Sequence, residues 1–298
     1  MIETQKNGII IKGISGFYYV ESENTVYECK ARGIFRKEGI TPLAGDRVKI
    51  SIGANGKGWV EEIAPRTSYL ERPPVANVDR IYIVVSAADP SPSPIVIDRL
   101  TAIAEDKEIE PVIVFNKTDL ANVDEYIEIY KKAGFDTYTV CCSTGEGVDA
   151  LRDTLVNKIN VFAGNSGVGK SSLLNLICPE FDLKTGEISQ KLGRGRHTTR
   201  HVELLKLSNG GYVADTPGFA SIDMEKQWIY KENLQFAFRE FKDYIGECKF
   251  TSCSHTGEKG CAIGDAVEKG IISKSRHQNY ITLYREMEEI KDWERNKE

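Results

Sequence analysis

Gly164-Asn165-Ser166-Gly167-Val168-Gly169-Lys170-Ser171 decides how the rest of this chain is read. It fits the phosphate-loop pattern G-x-x-x-x-G-K-[ST]. Just before it, Ile159–Ala163 is a short apolar, β-prone run; just after it, Leu173, Leu174 and Ile177 recur at helical spacing. A strand, a glycine turn and a helix start, in that order, build an anion cradle. Glycines let the backbone curl so that several N–H groups point inward, and the helix N-terminus adds its dipole. Lys170 is then placed to reach the β/γ oxygens of a nucleotide, and the Ser171 hydroxyl to ligate Mg²⁺.

Upstream of this turn the chain alternates strands and helices. Ile81 to Val85 is a buried parallel strand by its Ile and Val content. Ser93-Pro94 reads as an N-cap followed by Pro at the first helical position, and Val96, Leu100, Ile103 and Ala104 share one face of the helix after it. Further strands are expected at 112–115 and 137–142, with a helix at 124–133 closed by Gly134 and another marked by Val148, Leu151 and Leu155. Downstream, 202–207 and 212–214 form a hairpin across Asn209-Gly210-Gly211. The predicted fold of this part is a doubly wound α/β domain.

Two more motifs fall at predicted strand ends. Asn116-Lys117-Thr118-Asp119 fits N-K-x-D. The Asp119 carboxylate can accept from guanine N1–H and its 2-amino group, two donors that adenine lacks. Asn116 is expected to tie loops together and the Lys117 stem to cover the base. The loop Cys142-Ser143-Thr144-Gly145 sits where a backbone contact to guanine O6 is expected. Asp215-Thr216-Pro217-Gly218 fits D-x-x-G, with the carboxylate holding Mg²⁺ through water and the Gly218 N–H sensing the γ-phosphate. Together these resemble the GTPase superfamily, in rotated order: N-K-x-D and the O6 loop precede the phosphate loop. A circularly permuted GTPase is predicted, since strand ends at one sheet edge can be supplied in any chain order.

The hydrolytic machinery is less conventional. Gly193-Arg194-Gly195-Arg196-His197-Thr198-Thr199-Arg200 is the natural first switch, with Thr199 favoured over Thr198 as the cap on Mg²⁺ and γ-phosphate. Phe219 comes directly after D-x-x-G, where many GTPases place a water-orienting Gln. His197 is the best local substitute, although a phosphate- or RNA-facing role fits it as well. The expected catalytic set is Lys170, His197, Thr199 and Gly218. The expected nucleotide contacts are Asn116, Lys117, Asp119, Ser143, Gly164, Asn165, Ser166, Gly167, Val168, Gly169, Lys170, Ser171, Ser172 and Asp215; Mg²⁺ falls to Ser171, Thr199 and Asp215. Because the second switch now ends the GTPase domain, its rearrangement is expected to pull on the C-terminal helices.

The flanks are different in kind. Residues 8–12, 17–21, 26–31, 47–52 and 59–63 are short β-prone runs separated by turn formers, which predicts a small barrel: an OB-fold first, an SH3-like barrel second. Tyr18, Tyr19, Phe35 and Trp59 are candidate base-stacking residues, with Lys30, Arg32, Arg36 and Lys37 on phosphates; barrel core is the competing use of the aromatics. Arg72-Pro73-Pro74 is expected to be a linker. From about residue 230 the chain reads as helical, with stripes at Leu234, Ala237, Phe238, Phe241 and at Tyr280, Leu283, Tyr284, Met287, Ile290. The predicted domains are 1–70, 71–228 and 229–298.

Seven cysteines and a net charge of −5 complete the picture. Cys29, Cys141, Cys142 and Cys178 lie in apolar surroundings and read as reduced core thiols. Cys248-x4-Cys253-x-His255-x5-Cys261 supplies three thiolates and an imidazole, a full tetrahedral set, so a structural Zn²⁺ is expected. No secretory signal or membrane-length apolar run is visible, which points to a cytoplasmic protein. Two basic clusters, one over 191–201 and one at Lys269, Lys274, Arg276 and His277, read as solvated faces when taken alone.

This layout resembles one family, the RsgA (YjeQ/YloQ) small-ribosomal-subunit biogenesis GTPases. The resemblance is carried by Pro42-Leu43-Ala44-Gly45-Asp46-Arg47-Val48, the N-K-x-D, phosphate-loop, 193–200 and D-x-x-G motifs, and the Cys/His set. It implies an N-terminal OB-fold and a bacterial cytoplasmic GTPase acting late in maturation of the 30S subunit. It also implies stimulation by that subunit and a catalytic part for His197. GTP/GDP, the small subunit and its rRNA are the expected partners, and a monomer the expected state. The alternative is a non-ribosomal regulatory GTPase whose zinc domain binds a protein.

Overall fold

The computed structural model describes residues 4–53, 56–71, 73–179, 202–215 and 229–289. The first five strands are β1 (Thr4–Ile14), β2 (Phe17–Ser22), β3 (Thr25–Ala31), β4 (Arg47–Ile52) and β5 (Gly58–Ile63), with a short helix α1 (Gly33–Lys37) between β3 and β4. They pair in the order β1-β2-β3-β5-β4, and β1 also pairs with β4, so the ring closes. The long β1 serves both neighbours: its first half pairs with β4 and its second half with β2, with a register shift between Ile10 and Lys12. Such an irregularity bends a strand enough to turn a barrel corner. The parallel β3–β5 contact and the helix after β3 make this the OB arrangement rather than the SH3-like one. Ile10, Val20, Cys29, Phe35, Val48, Ile50 and Val60 fill it. Phe35 is therefore core, not a stacking surface; Tyr18, Tyr19 and Trp59 are half-buried and Lys30, Arg32, Arg36 and Lys37 lie toward solvent.

At the expected linker two short strands pair and dock on the barrel; Arg72 itself lies outside the described residues. β6 (Tyr69–Glu71) pairs with β7 (Pro74–Ala76), and Leu70 and Val75 are buried. The barrel motif at 42–48 explains the docking. Gly45 has φ +93, and a Cβ there would lie 2.0 Å from the Ala76 carbonyl oxygen, so only glycine lets β7 come this close. Ala76 N–H donates to the Ala44 carbonyl and Asn77 Nδ2 to the Gly45 carbonyl, both at 2.9 Å. The fully buried Asp46 accepts two bonds from Arg66, at 2.8 and 2.9 Å. Residue 70, where a domain boundary was expected, lies inside this hairpin.

The α/β part contains β8 (Arg80–Ser86), α2 (Pro94–Asp106), β9 (Glu110–Asn116), α3 (Asp124–Lys132), β10 (Asp136–Thr139), α4 (Val148–Asp153), β11 (Ile159–Ala163), α5 (Lys170–Ile177), β12 (Glu203–Lys206) and β13 (Tyr212–Asp215). The strand order is β10-β9-β8-β11-β13-β12, all parallel except β12. Alternate residues feed the two faces, as a pleated strand requires. Ile81, Ile83, Ile113 and Phe115 pack toward α2 and α3; Tyr82, Val84, Val112 and Phe162 pack toward α4 and α5. Chain order runs outward from β8 to β10 and then returns to β11, so the direction of travel across the sheet reverses between β8 and β11. A crevice at such a reversal is where parallel sheets bind ligands. The sheet continues into the barrel, because Lys12 of β1 pairs with Glu203 of β12.

The C-terminal part is less regular than its apolar stripes predict. α6 (Lys231–Leu234) gives way to 3₁₀ turns at Gln235–Ala237 and Arg239–Tyr244, and the chain continues through α7 (Ala262–Glu268) and α8 (Lys274–Glu289). The stripe residues Leu234, Phe238, Phe241, Tyr280 and Leu283 are nonetheless buried, against Ala102 and Ile103 of α2. Arg276 departs from the expected solvated face. It is buried, with Nη1 2.7 Å from Asp98 Oδ1 of α2 and its other nitrogens 2.7 and 2.9 Å from the Glu240 carboxylate.

Candidate nucleotide site and metal centre

β11 runs directly into the 164–169 loop, and α5 starts at Lys170. Gly169 has φ +95, and a Cβ on it would lie 2.3 Å from Asn116 Nδ2; the loop closes onto Asn116 only because this residue is glycine. Asn116 sits at the end of β9, buried. Its Nδ2 donates to the Val168 carbonyl at 2.8 Å, and its Oδ1 accepts from the Cys142 N–H at 3.3 Å. One side chain thus fastens the phosphate loop to the 141–145 loop.

Lys170 is 9% exposed, and its ammonium donates to the Gly164 and Asn165 carbonyls, each at 2.7 Å. Burial lowers its pKa to about 8. Asn165, Ser166 and Gly167 are exposed, Val168 is buried, and Ser171 and Ser172 are half-buried in the first turn of α5. Lys117 takes a left-handed backbone, φ 60, and its ammonium contacts the Asp89 carbonyl. A non-glycine residue held there carries a cost of order 1 kcal/mol, the kind of strain found where a side chain must be aimed. Asp119 is exposed at the end of the same turn, and Ser143 is exposed beside it. Asp215 closes β13, which neighbours β11, so both strands deliver their ends to one sheet edge.

Loop, lysine, asparagine and carboxylate therefore gather at the reversal point of the sheet. An anion fits the loop and helix start, and a planar donor pair fits the carboxylate. Of the expected set, His197, Thr198, Thr199, Gly218 and Phe219 lie outside the described residues, as does the 193–200 run; the Asp215 side chain is likewise not described. Cys141 is a correction to the sequence reading. It is free and buried as expected, but its surroundings are polar: its Sγ lies 3.2 Å from Asp119 Oδ1 and 3.0 Å from Ser143 Oγ.

Cys248, Cys253, His255 and Cys261 bring their ligand atoms within 4.8 Å of one another. His255 Nδ1 is 3.5 Å from both Cys248 Sγ and Cys261 Sγ. That matches the ligand–ligand edge of about 3.5 Å that ordinary metal–sulfur and metal–nitrogen bond lengths give a tetrahedron. The loop is shaped for it. The Glu258 carboxylate accepts from the Ser254, Thr256 and Gly257 N–H groups, and Ala262 N–H points at Cys248 Sγ. On the far side of the imidazole, Nε2 lies 3.0 Å from Gln235 Oε1, the usual outer partner that fixes a ligand's tautomer. The donor set fits a structural metal ion with no open position.

A sequence profile described as RsgA GTPase matches residues 63–225, and one described as the RsgA N-terminal domain matches residues 7–60. The chain belongs to the RsgA GTPase family. It is a GTPase in permuted order. A relative from Caldanaerobacter subterraneus, named small ribosomal subunit biogenesis GTPase RsgA, is 47% identical over 95% of this chain and 96% of its own length. One of the same name from Ruminiclostridium cellulolyticum is 46% identical over 97% and 96%. The crystal structure of YjeQ from Thermotoga maritima superposes with a TM-score of 0.82 at 35% identity, covering 97% of this chain and all (100%) of that one. YloQ, described as a circularly permuted GTPase, gives 0.81 at 37% identity over 97% and 96%. The sequence motifs anticipated that Asn116, Asp119 and the 164–171 loop gather at one sheet edge and that Cys248, Cys253, His255 and Cys261 come together, but not the contacts made by Cys141, Gln235, Asp46 and Arg276. These act through contacts between distant segments and carry no local pattern.

Proposed function

We propose that this chain hydrolyses GTP at the 164–171 loop as a step in maturation of the small ribosomal subunit. The observation that carries the reading is the joining of the phosphate loop to the N-K-x-D turn by Asn116, at the reversal point of the sheet. In this reading Asp119 takes the guanine N1–H and 2-amino group, with Lys117 along the base and Ser143 near O6. Lys170 and the loop N–H groups, from Gly164, Asn165, Ser166, Gly167, Val168 and Gly169 into Ser172, hold the phosphates. Ser171, Thr199 and Asp215 hold Mg²⁺, which neutralises charge on the phosphates when bound. Gly218 tracks the γ-phosphate, and His197 orients the attacking water in place of the usual Gln.

The Cys/His cluster holds Zn²⁺, as its three thiolates and one imidazole favour. The barrel meets rRNA with Lys30, Arg32, Arg36 and Lys37 around half-buried Trp59. The chain works as a monomer in the cytoplasm, with units at 1–70, 71–228 and 229–298, the β6–β7 pairing bridging the first two. Among the described residues no helix is long and apolar enough to cross a membrane. Co-sedimentation tests the partner. The chain should travel with small rather than large subunits in a non-hydrolysable GTP analogue, and less so in GDP. Equal recovery with both subunits, or with neither, would defeat the reading.

A further inference from the structure

The four ligands of the metal centre are not equally covered. Cys261 and His255 are buried, whereas Cys248 and Cys253 are half-buried. Cys261 Sγ accepts from the Gly264 N–H at 3.4 Å, at the start of α7, and Cys248 Sγ accepts from the Ala262 N–H at 3.3 Å. Cys253 follows the exposed run Phe250, Thr251 and Ser252, so peroxide-sized molecules reach this side of the loop. All the ligand atoms lie within 4.8 Å of one another, and a disulfide needs about 2 Å between sulfurs, so a small side-chain movement joins two of them. The remaining cysteines are shielded. Cys29, Cys141 and Cys178 are at most 2% exposed, and burial pushes the Cys142 thiol up to about 11, which keeps it protonated near neutral pH. Thiolates rather than thiols react with peroxides, and a metal ion keeps its thiol ligands deprotonated. Access and thiolate character therefore coincide at Cys253 and Cys248.

We propose that the Cys/His centre is a redox switch: a peroxide oxidises Cys253, and a second thiolate of the cluster closes a disulfide onto it that frees the metal ion. The inference rests on the cluster holding that ion. The Cys253 thiolate attacks one peroxide oxygen; an S–O bond forms, the O–O bond breaks and hydroxide leaves. The neighbouring thiolate then attacks the sulfenic sulfur; the S–S bond forms and a second hydroxide leaves. The two sulfurs give up two electrons and the peroxide takes them. One thiolate and one imidazole remain, too few to close a tetrahedral site. The loop is then released from its neighbours. In the reduced form the Tyr280 hydroxyl donates to the Ser254 carbonyl at 2.9 Å, and His277 Nε2 lies 2.8 Å from the His255 carbonyl oxygen. The nucleotide loops are fastened elsewhere, by Asn116. Oxidation thus loosens the C-terminal part and leaves nucleotide binding intact.

The test treats the full, zinc-loaded chain with hydrogen peroxide. Metal content is measured first, then released zinc with a colorimetric indicator, disulfides by peptide mapping, and GDP affinity by titration. One zinc ion should leave for each disulfide formed, and that disulfide should contain Cys253. Cys142 should remain reduced and GDP affinity unchanged. A thiol reductant with added zinc should reverse both the disulfide and the metal loss. Zinc retained while Cys141 or Cys142 is oxidised, or zinc lost without a disulfide at Cys253, overturns the inference and leaves the metal centre standing. A chain that takes up no zinc before treatment overturns the metal reading itself, and the switch with it.

Discussion

Lys170 lies over two backbone carbonyls with its pKa lowered to about 8 by burial. Polyphosphate beside it favours the charged form and raises that pKa. In free protein the lysine loses its proton as pH passes about 8; in the complex it keeps it, so affinity is full below that pH and falls above it. Binding of GDP at roughly pH 8.5 should therefore take up a fraction of a proton, measured by calorimetry in buffers of different ionisation enthalpy. Lys170→Ala should abolish the uptake; no uptake in the parent would contradict the assignment. The gathering of Lys170, Asn116 and Asp119, and of Cys248, Cys253, His255 and Cys261, was legible because each motif is contiguous or nearly so in the sequence. The thiol under Asp119 was not, because that contact spans 22 residues between two strand ends.

At the scale of elements, Arg276 of α8 joins the C-terminal part to α2. It is fully enclosed by Asp98, Glu240 and the faces of Phe238 and Phe135. Removing one partner from a buried ionic cluster leaves charge without compensation, a loss of about 3–5 kcal/mol. Arg276→Ala should lower unfolding free energy by that amount in a denaturant titration; a change under about 1 kcal/mol would mean the cluster is hydrated. The metal loop makes a second prediction. Stripping metal with a strong chelator should speed hydrogen exchange through 248–261 and at Tyr280, whose hydroxyl donates to the Ser254 carbonyl. GDP binding should survive, since the nucleotide loops are held by Asn116 rather than by this loop. Unchanged exchange would show that the loop folds without metal. Strands were read well here because alternation and turn residues are local signals. The 3₁₀ turns around Phe238 and the docked 69–76 hairpin were not, since packing against α2 and against Gly45 decides them.

At the scale of the molecule, barrel, sheet and C-terminal part are joined at several points. The barrel meets the β6–β7 hairpin through the Gly45–Ala76 contact, and the large sheet through β1 on β12, with Lys12 paired to Glu203 and Lys206 contacting Glu21. In the chain, β12 and β13 lie between the 193–200 run and the D-x-x-G motif, and β12 pairs with the barrel strand β1. The permuted order was legible because each motif names its own strand end whatever its place in the chain. The reach of those strands into the barrel depends on pairing that no single segment encodes. Above all, this GTPase works on the small ribosomal subunit. GTP turnover measured with and without purified small subunits, at low and high salt and with Lys170→Ala as control, tests it most directly. Small subunits should stimulate turnover strongly, an effect that weakens with salt and vanishes in the control. Equal turnover with and without subunits would contradict it.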